Sequence, residues 1–249
     1  MRGDTLSVTA LTCNLTDTAI CSQLGTKLTS SVGATWFLNR TNDPVRPTAG
    51  YNGSISQDLA GIGGDTDYIR TEIQANWYHG FNKDFIFTAR GSAGYVDAFA
   101  GKDLRISDRF FVGGGQTHPF RGFETAGLGP RDTTFNSSLG GKIYGLGTFE
   151  LTVPTFLPQQ FGIDATLFTD FGTLGGVDPR DKIKCTGNTP PICTPNPAIK
   201  DDFALRGSSG LSIGWKSPLG PIQFDLSTVW AKQPYDRTQT FQFRTRSSF

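Results

Sequence analysis

The chain has 249 residues, room for one large domain or two small ones, with 31 Gly, 20 Phe, a single Met and only 18% charged residues. That balance describes an all-β chain rich in turns, and a net charge of +1 gives no electrostatic case for nucleic acid or an acidic partner. No stretch approaches the roughly 18 consecutive apolar residues of a transmembrane helix, which excludes a helical membrane protein.

A β-barrel stays open, because its strands alternate lipid-facing and lumen-facing residues and average to a soluble-looking hydropathy. The mean hydropathy here is −0.26. Met1–Ser7 carries no apolar signal-peptide core, so a secreted barrel implies that Met1 is internal to a longer reading frame or that the chain is a fragment. Four cysteines form two close pairs, Cys13 with Cys21 and Cys185 with Cys193, each flanking a polar loop. Two loop-stapling disulfides in an oxidising compartment account for them better than a zinc site, since neither His79 nor His118 lies nearby.

Period-two alternation predicts about ten strands, near 4–13, 30–39, 49–60, 68–79, 84–96, 141–153, 161–173, 204–217, 221–231 and 238–249. Between Tyr68 and Tyr78, Ile69, Ile73, Ala75 and Trp77 oppose Arg70, Glu72, Gln74 and Asn76. Phe85, Phe87, Ala89 and Ala93 then oppose Thr88, Arg90 and Ser92. Phe149, Leu151 and Val153 oppose Thr148, Glu150 and Thr152, and Ile163, Ala165 and Leu167 oppose Asp164, Thr166 and Asp170. Leu211, Ile213 and Trp215 oppose Ser208, Ser212 and Lys216, while Ile222, Phe224 and Leu226 oppose Gln223, Asp225 and Ser227. The last run alternates Phe241 and Phe243 with Gln242 and Arg244 and ends on Phe249.

A soluble β-sandwich alternates in the same way. Three features favour a membrane barrel instead. The runs are long, against about 5–6 residues for a globular strand and about 9–11 for a barrel span. Trp36, Trp77, Tyr95, Trp215 and Trp230 fall near strand ends, as an interfacial girdle requires. Short turns at Gly80–Lys83, Pro154–Gln160 and Ser217–Gly220 contrast with long loops near 97–140 and 173–203.

No nucleophile elbow, phosphate-binding glycine loop or His-Glu-x-x-His helix occurs, so the reading is not an enzyme. Gly113-Gly114-Gly115 has no following Lys to hold a phosphate. The unusual segment is Asp108–Asp132, which holds Phe110, Phe111, Phe120 and Phe123. Leaving such residues in water is unfavourable, so the loop should fold back onto a wall. Arg121, between two phenylalanines, would then need carboxylates, and alternation puts Glu150 and Asp170 on the lumen side. A bidentate guanidinium can bridge both. On these residues alone, a mobile surface arginine is an equal alternative.

Phe120-Arg121-Gly122-Phe123, after the glycine run and before Gly129-Pro130, resembles the Val-Arg-Gly-Phe loop motif of the BamA family of outer-membrane protein assembly factors, whose barrel is also called the bacterial surface antigen domain. Phe168-Thr169-Asp170-Phe171-Gly172 resembles that family's Phe-x-Asp-x-Gly strand motif, and Phe149-Glu150-Leu151 before Pro154 its Glu-bearing strand. Trp215–Pro221, Gln239–Phe243, and Asn42-Asp43-Pro44 with Pro47-Thr48-Ala49-Gly50 are similar to further family segments.

The resemblance implies an antiparallel transmembrane β-barrel of sixteen strands in the bacterial outer membrane. Residues 1–249 would be a partial barrel domain, the carboxyl-terminal ten strands or so, lacking POTRA domains and early strands. It implies insertion and folding of other barrels without a cofactor, with unfolded outer-membrane β-barrel substrates, accessory assembly lipoproteins and the lipid bilayer as partners. Arg121 would be the lumen-inserted arginine and Glu150 and Asp170 its inner-wall partners. Residues 238–249, with Phe241, Phe243 and Phe249, would be the seam strand and the signal for the protein's own insertion. Phe120 stands where the family has Val, and Thr245 and Ser247 are less apolar than the family's ending. A protein-secretion barrel of the two-partner type and a passive porin-like channel are the alternatives.

Overall fold

The computed structural model describes residues 2–4, 27–44, 46–82, 85–99, 104–115, 117–155, 162–179, 181–186, 192–217 and 220–245. Its framework is a nine-stranded sheet. The strands are β1 (Ser31–Thr41), β2 (Ala49–Ala60), β3 (Tyr68–Gly80), β4 (Ile86–Ala98) and β5 (Ile143–Val153), then β6 (Ile163–Gly175), β7 (Arg206–Ser217), β8 (Gly220–Ala231) and β9 (Phe241–Thr245). Each pairs antiparallel with the next in sequence, so the sheet is an unbroken meander from β1 to β9. Strands β1 to β8 run to 11–13 residues, the span of a membrane barrel.

Nine of the ten expected strands are present, with ends shifted by a few residues. Of the tenth, near 4–13, only Asp4 is described; Arg2–Asp4 pairs with Lys27–Thr29 in a separate small sheet. The last strand begins at Phe241 rather than 238, and Phe249 lies outside the described residues. The loop near 173–203 carries structure of its own: Ile183–Thr186 pairs with Ile192–Pro195, and Ile199–Lys200 pairs with Arg131–Asp132 of the other long loop. In that hairpin Cys185 stands directly opposite Cys193, the register their expected disulfide needs, whereas Cys13 and Cys21 lie outside the described residues.

Burial is inverted relative to a soluble sheet. On β8, Leu226 is 57% exposed between Asp225 at 0% and Ser227 at 3%. On β9, Phe241 and Phe243 are 54% and 55% exposed while Gln242 between them is 4%. Register extends the inversion across the sheet. Phe87, Leu151, Leu167, Leu211, Leu226 and Phe241 form one cross-strand row on the apolar face. One residue along, Thr152, Thr166, Ser212, Asp225 and Gln242 form a polar row on the other. A continuous exposed apolar face over a buried polar one suits a wall whose outer solvent is hydrocarbon. The polar face is covered by the segment 104–142, which packs Leu104, Phe110, Val112, Phe120, Phe123 and Leu128 against Tyr68, Val96, Tyr144 and Leu174.

Leu167, mid-strand on the exposed face, distinguishes lipid from water as the outer medium. Leu167→Arg is expected to lower unfolding stability in lipid vesicles by about 2–4 kcal/mol. A water-facing site would shift by only about 0.5 kcal/mol or less. Peptide mapping without reductant is expected to recover Cys185 and Cys193 in one linked peptide pair, and separate alkylated peptides would exclude the bridge.

Candidate functional site

Four consecutive strands present polar side chains to one point on the covered face. Alternation brings Thr148 and Glu150 there from β5, Phe168 and Asp170 from β6, and Ser208 and Ser212 from β7, while Arg90 arrives from β4. The loop delivers Arg121 into their midst. Its Nε donates to Asp170 Oδ2 at 2.7 Å and its Nη2 to Asp170 Oδ1 at 2.7 Å, a bidentate pair. Its Nη1 donates to Glu150 Oε1 at 2.8 Å and to Ser212 Oγ at 3.2 Å. The guanidinium carbon lies 3.7 Å from the centre of the Phe168 ring, so a cation–π contact covers one face of the guanidinium.

The carboxylates are themselves held. Asp170 also accepts from the Arg121 backbone N–H at 3.1 Å and from Thr148 Oγ1 at 2.8 Å. Glu150 is shared, with Arg90 Nη2 2.9 Å from its other oxygen. Burial on its own would lower the pKa of Arg121, but the hydrogen bond and charge of Asp170, reinforced by Glu150, hold it above the ordinary arginine value. The desolvation of the cation is offset by two anions and by hydrogen bonds from all three of its nitrogens.

The residues beside Arg121 set its approach. Phe120 and Phe123 are buried and meet edge to face with centres 5.1 Å apart. Ser208 Oγ donates to the Arg121 carbonyl at 2.5 Å. Gly122 turns the chain at φ +89°, and a Cβ there would lie 2.9 Å from Val229 Cγ2 and 3.0 Å from Ser208 Cβ. Glycine is required both by the backbone and by the wall.

Arg121, Glu150 and Asp170, singled out from sequence, are thus brought together, with Phe120, Gly122 and Phe123 around them. Phe241 and Phe243 lie elsewhere, on the exposed face of the edge strand. The sequence reading missed Ser212 and Ser208 as partners, Arg90 as the second cation on Glu150, and Phe168 as a ring platform. Strand alternation carried the signal for the first three, which share the polar face. Phe168 broke the alternation, being an apolar residue on that face. A second contact was also missed: loop His118 Nε2 lies 3.2 Å from Glu72 Oε2 on β3, and Tyr144 Oη donates to the same oxygen at 3.1 Å. Below the loop is a cavity of about 500 Å³ lined by Arg90, Arg121, Glu150, Asp164 and Arg244 among others.

A lipid-facing antiparallel wall whose polar inner face is bridged by an arginine-bearing loop defines a segment of a transmembrane β-barrel with an internally tethered loop. The chain belongs to the Omp85 superfamily: the model described as the Omp85 superfamily domain matches residues 4–249. It is 30% identical over 232 residues to the outer membrane protein assembly factor BamA of Neorickettsia risticii, covering 93% of this chain and 29% of that protein. It is 29% identical over 155 residues to the human sorting and assembly machinery component 50 homolog, covering 61% of this chain and 32% of that one. The crystal structure of BamA from Haemophilus ducreyi lacking POTRA domains 1–3 shares the fold, with a TM-score of 0.70 over 86% of this chain and 41% of that one, at 24% identity. The chain therefore spans about a third or less of the curated relatives named here.

Removing Arg121 leaves the buried Asp170 carboxylate without its cation, while the half-buried Glu150 keeps Arg90. Arg121→Ala is expected to destabilise the barrel by about 3–5 kcal/mol. In a double-mutant cycle with Asp170→Asn, the two losses should fall short of additive by more than about 1 kcal/mol. Additive losses would mean that the pair is not coupled.

Proposed function

We propose that this chain is the carboxyl-terminal barrel wall of an outer-membrane protein assembly factor, which inserts and folds other β-barrel proteins in the bacterial outer membrane. The observation that carries this reading is the Arg121–Asp170–Glu150 tether, with Phe168 beneath it. A passive pore has no need of a loop fastened by a buried ion triad across its inner wall. A barrel that must hold its shape while one edge admits a foreign strand does. The tether joins β5, β6 and β7 through one guanidinium and braces the part of the sheet next to the terminal hairpin.

At the far edge, β9 is bonded within the sheet to β8 alone among the described residues. An edge strand is a template for β-augmentation, so an unfolded substrate strand can add its backbone hydrogen bonds there. Residues 238–249, with Phe241, Phe243 and Phe249, serve as this seam and as the insertion signal. Residues 1–249 form one partial barrel domain in this reading. Accessory assembly lipoproteins complete the partner set that the family resemblance implies.

In cells depleted of the native protein, full-length Arg121→Ala, or Glu150→Ala combined with Asp170→Ala, is expected to reduce accumulation of other outer-membrane β-barrel proteins several-fold. The variant's own level in the membrane is measured alongside. Normal accumulation at normal variant levels would exclude the mechanism, and altered conductance with intact assembly would point to a channel.

A further inference from the structure

Past Arg121 the loop leaves the wall and runs beside the connection between β8 and β9. Gln239 N donates to the Gly122 carbonyl at 2.9 Å, Phe123 and Thr238 form a β-bridge, Glu124 N donates to the Arg237 carbonyl at 3.1 Å, and Arg237 N donates to the Gly127 carbonyl at 2.8 Å. These bonds hold the approach to the last strand. One contact reaches the strand itself: Gln242 Nε2 donates to the Phe123 carbonyl at 2.5 Å. Gln242 is buried, whereas its neighbours Phe241 and Phe243 turn outward. Room for its amide depends on the loop glycine run, because a Cβ on Gly114 would lie 2.6 Å from Gln242 Nε2.

Among the described residues the ladder between β8 and β9 runs from Leu226–Phe241 to Ile222–Thr245. A strand bonded on one side only, as β9 is among the described residues, opens at lower free energy than one bonded on both sides unless something else fastens it. Gln242 supplies that fastening from the polar face. Its acceptor, the Phe123 carbonyl, is two residues from the Arg121 side chain, whose bonds lie on β5, β6 and β7. The loop therefore joins the ion triad on the wall to the edge strand, and it does so from inside rather than through the sheet.

We infer that Gln242 is a positioning residue that fastens the last strand to the Arg121 loop, so that the seating of Arg121 sets how readily this edge opens to an incoming β-strand of another barrel protein. Its consequence for assembly rests on the function proposed above, whereas the coupling is a property of this chain alone.

Hydrogen–deuterium exchange of residues 241–245 in the full-length protein, held in lipid nanodiscs, tests the coupling. Gln242→Leu is expected to speed exchange there roughly fivefold or more, the change that follows when a buried carbonyl loses its donor. Arg121→Ala should speed exchange at the same residues, although its side-chain bonds lie on other strands. The double variant should go no further than the faster single one. Gln242→Met keeps the length of the side chain without its donor and should speed exchange as Gln242→Leu does; a purely space-filling role would leave exchange unchanged in the Met variant. Unchanged exchange in Arg121→Ala overturns the inference even where the Gln242 variants fail to fold, and so do additive effects or full protection in Gln242→Met. Accumulation of other barrel proteins is read in parallel. Coupled exchange with normal accumulation defeats the assembly reading and leaves the coupling standing, and lost accumulation with uncoupled exchange does the reverse.

Discussion

A guanidinium taken out of water must meet compensating charge, and in this chain the demand falls on Arg121. Asp170 and Glu150 meet it from neighbouring strands, and Ser212 and the Phe168 ring take the remaining directions. Because the anions belong to the wall and the cation to the loop, satisfying one side chain fixes the path of a long segment. Phe120 and Phe123 can then be buried beside it, and the tight turn at Gly122 follows from how close the loop comes to β7 and β8. The loop is thereby part of the fold rather than an appendage to it.

The sheet supplies the other half of this arrangement by reversing the usual faces. In water, the apolar side of a strand turns inward; here Leu226, Phe241 and Phe243 face out while Asp225, Ser227 and Gln242 are buried. A polar inner face is what allows carboxylates and hydroxyls to await a loop cation. An apolar inner face would have held the aromatic residues and rejected the arginine. The lipid-facing exterior and the ion-paired interior are thus two results of one alternation.

Further buried pairs extend the principle toward the loop end of the strands. Arg206 and Asp236 are both fully buried and bond each other at 3.0 Å, and Asp236 also accepts from the Gly129 amide of the loop. Arg109 bonds Asp178 and Asp181, and Lys142 bonds Asp97 and Asp178, so the two long loops are joined to each other and to the wall by charge. Burial lowers the affinity of Lys142 for its proton, but the hydrogen bonds it donates to Asp178 and Asp97 raise it above the ordinary lysine value overall. Such pairs are costly to break from one side.

Much of this was legible in the sequence, because its cause is local. Period-two alternation is a property of the strand itself, so eight of the long runs and the lumen side of Glu150 and Asp170 could be placed without coordinates. The Arg121 loop stood out because leaving its four phenylalanines in water is unfavourable. What alternation could not decide was whether that arginine lay free or tethered, since bonding between residues 121, 150 and 170 depends on strand register and on the descent of the loop. Register also made partners of Ser208, Ser212 and Arg90. Phe168 came to serve as a ring beneath a cation only because Arg121 arrived above it. The link from Gln242 to Phe123, 119 positions apart, has no local signal at all. The sequence by itself determined which side of each strand faces lipid, through the chemistry of alternate side chains. Only the tertiary structure decided what the inner side holds, because those contacts exist only once distant segments are brought within hydrogen-bonding distance.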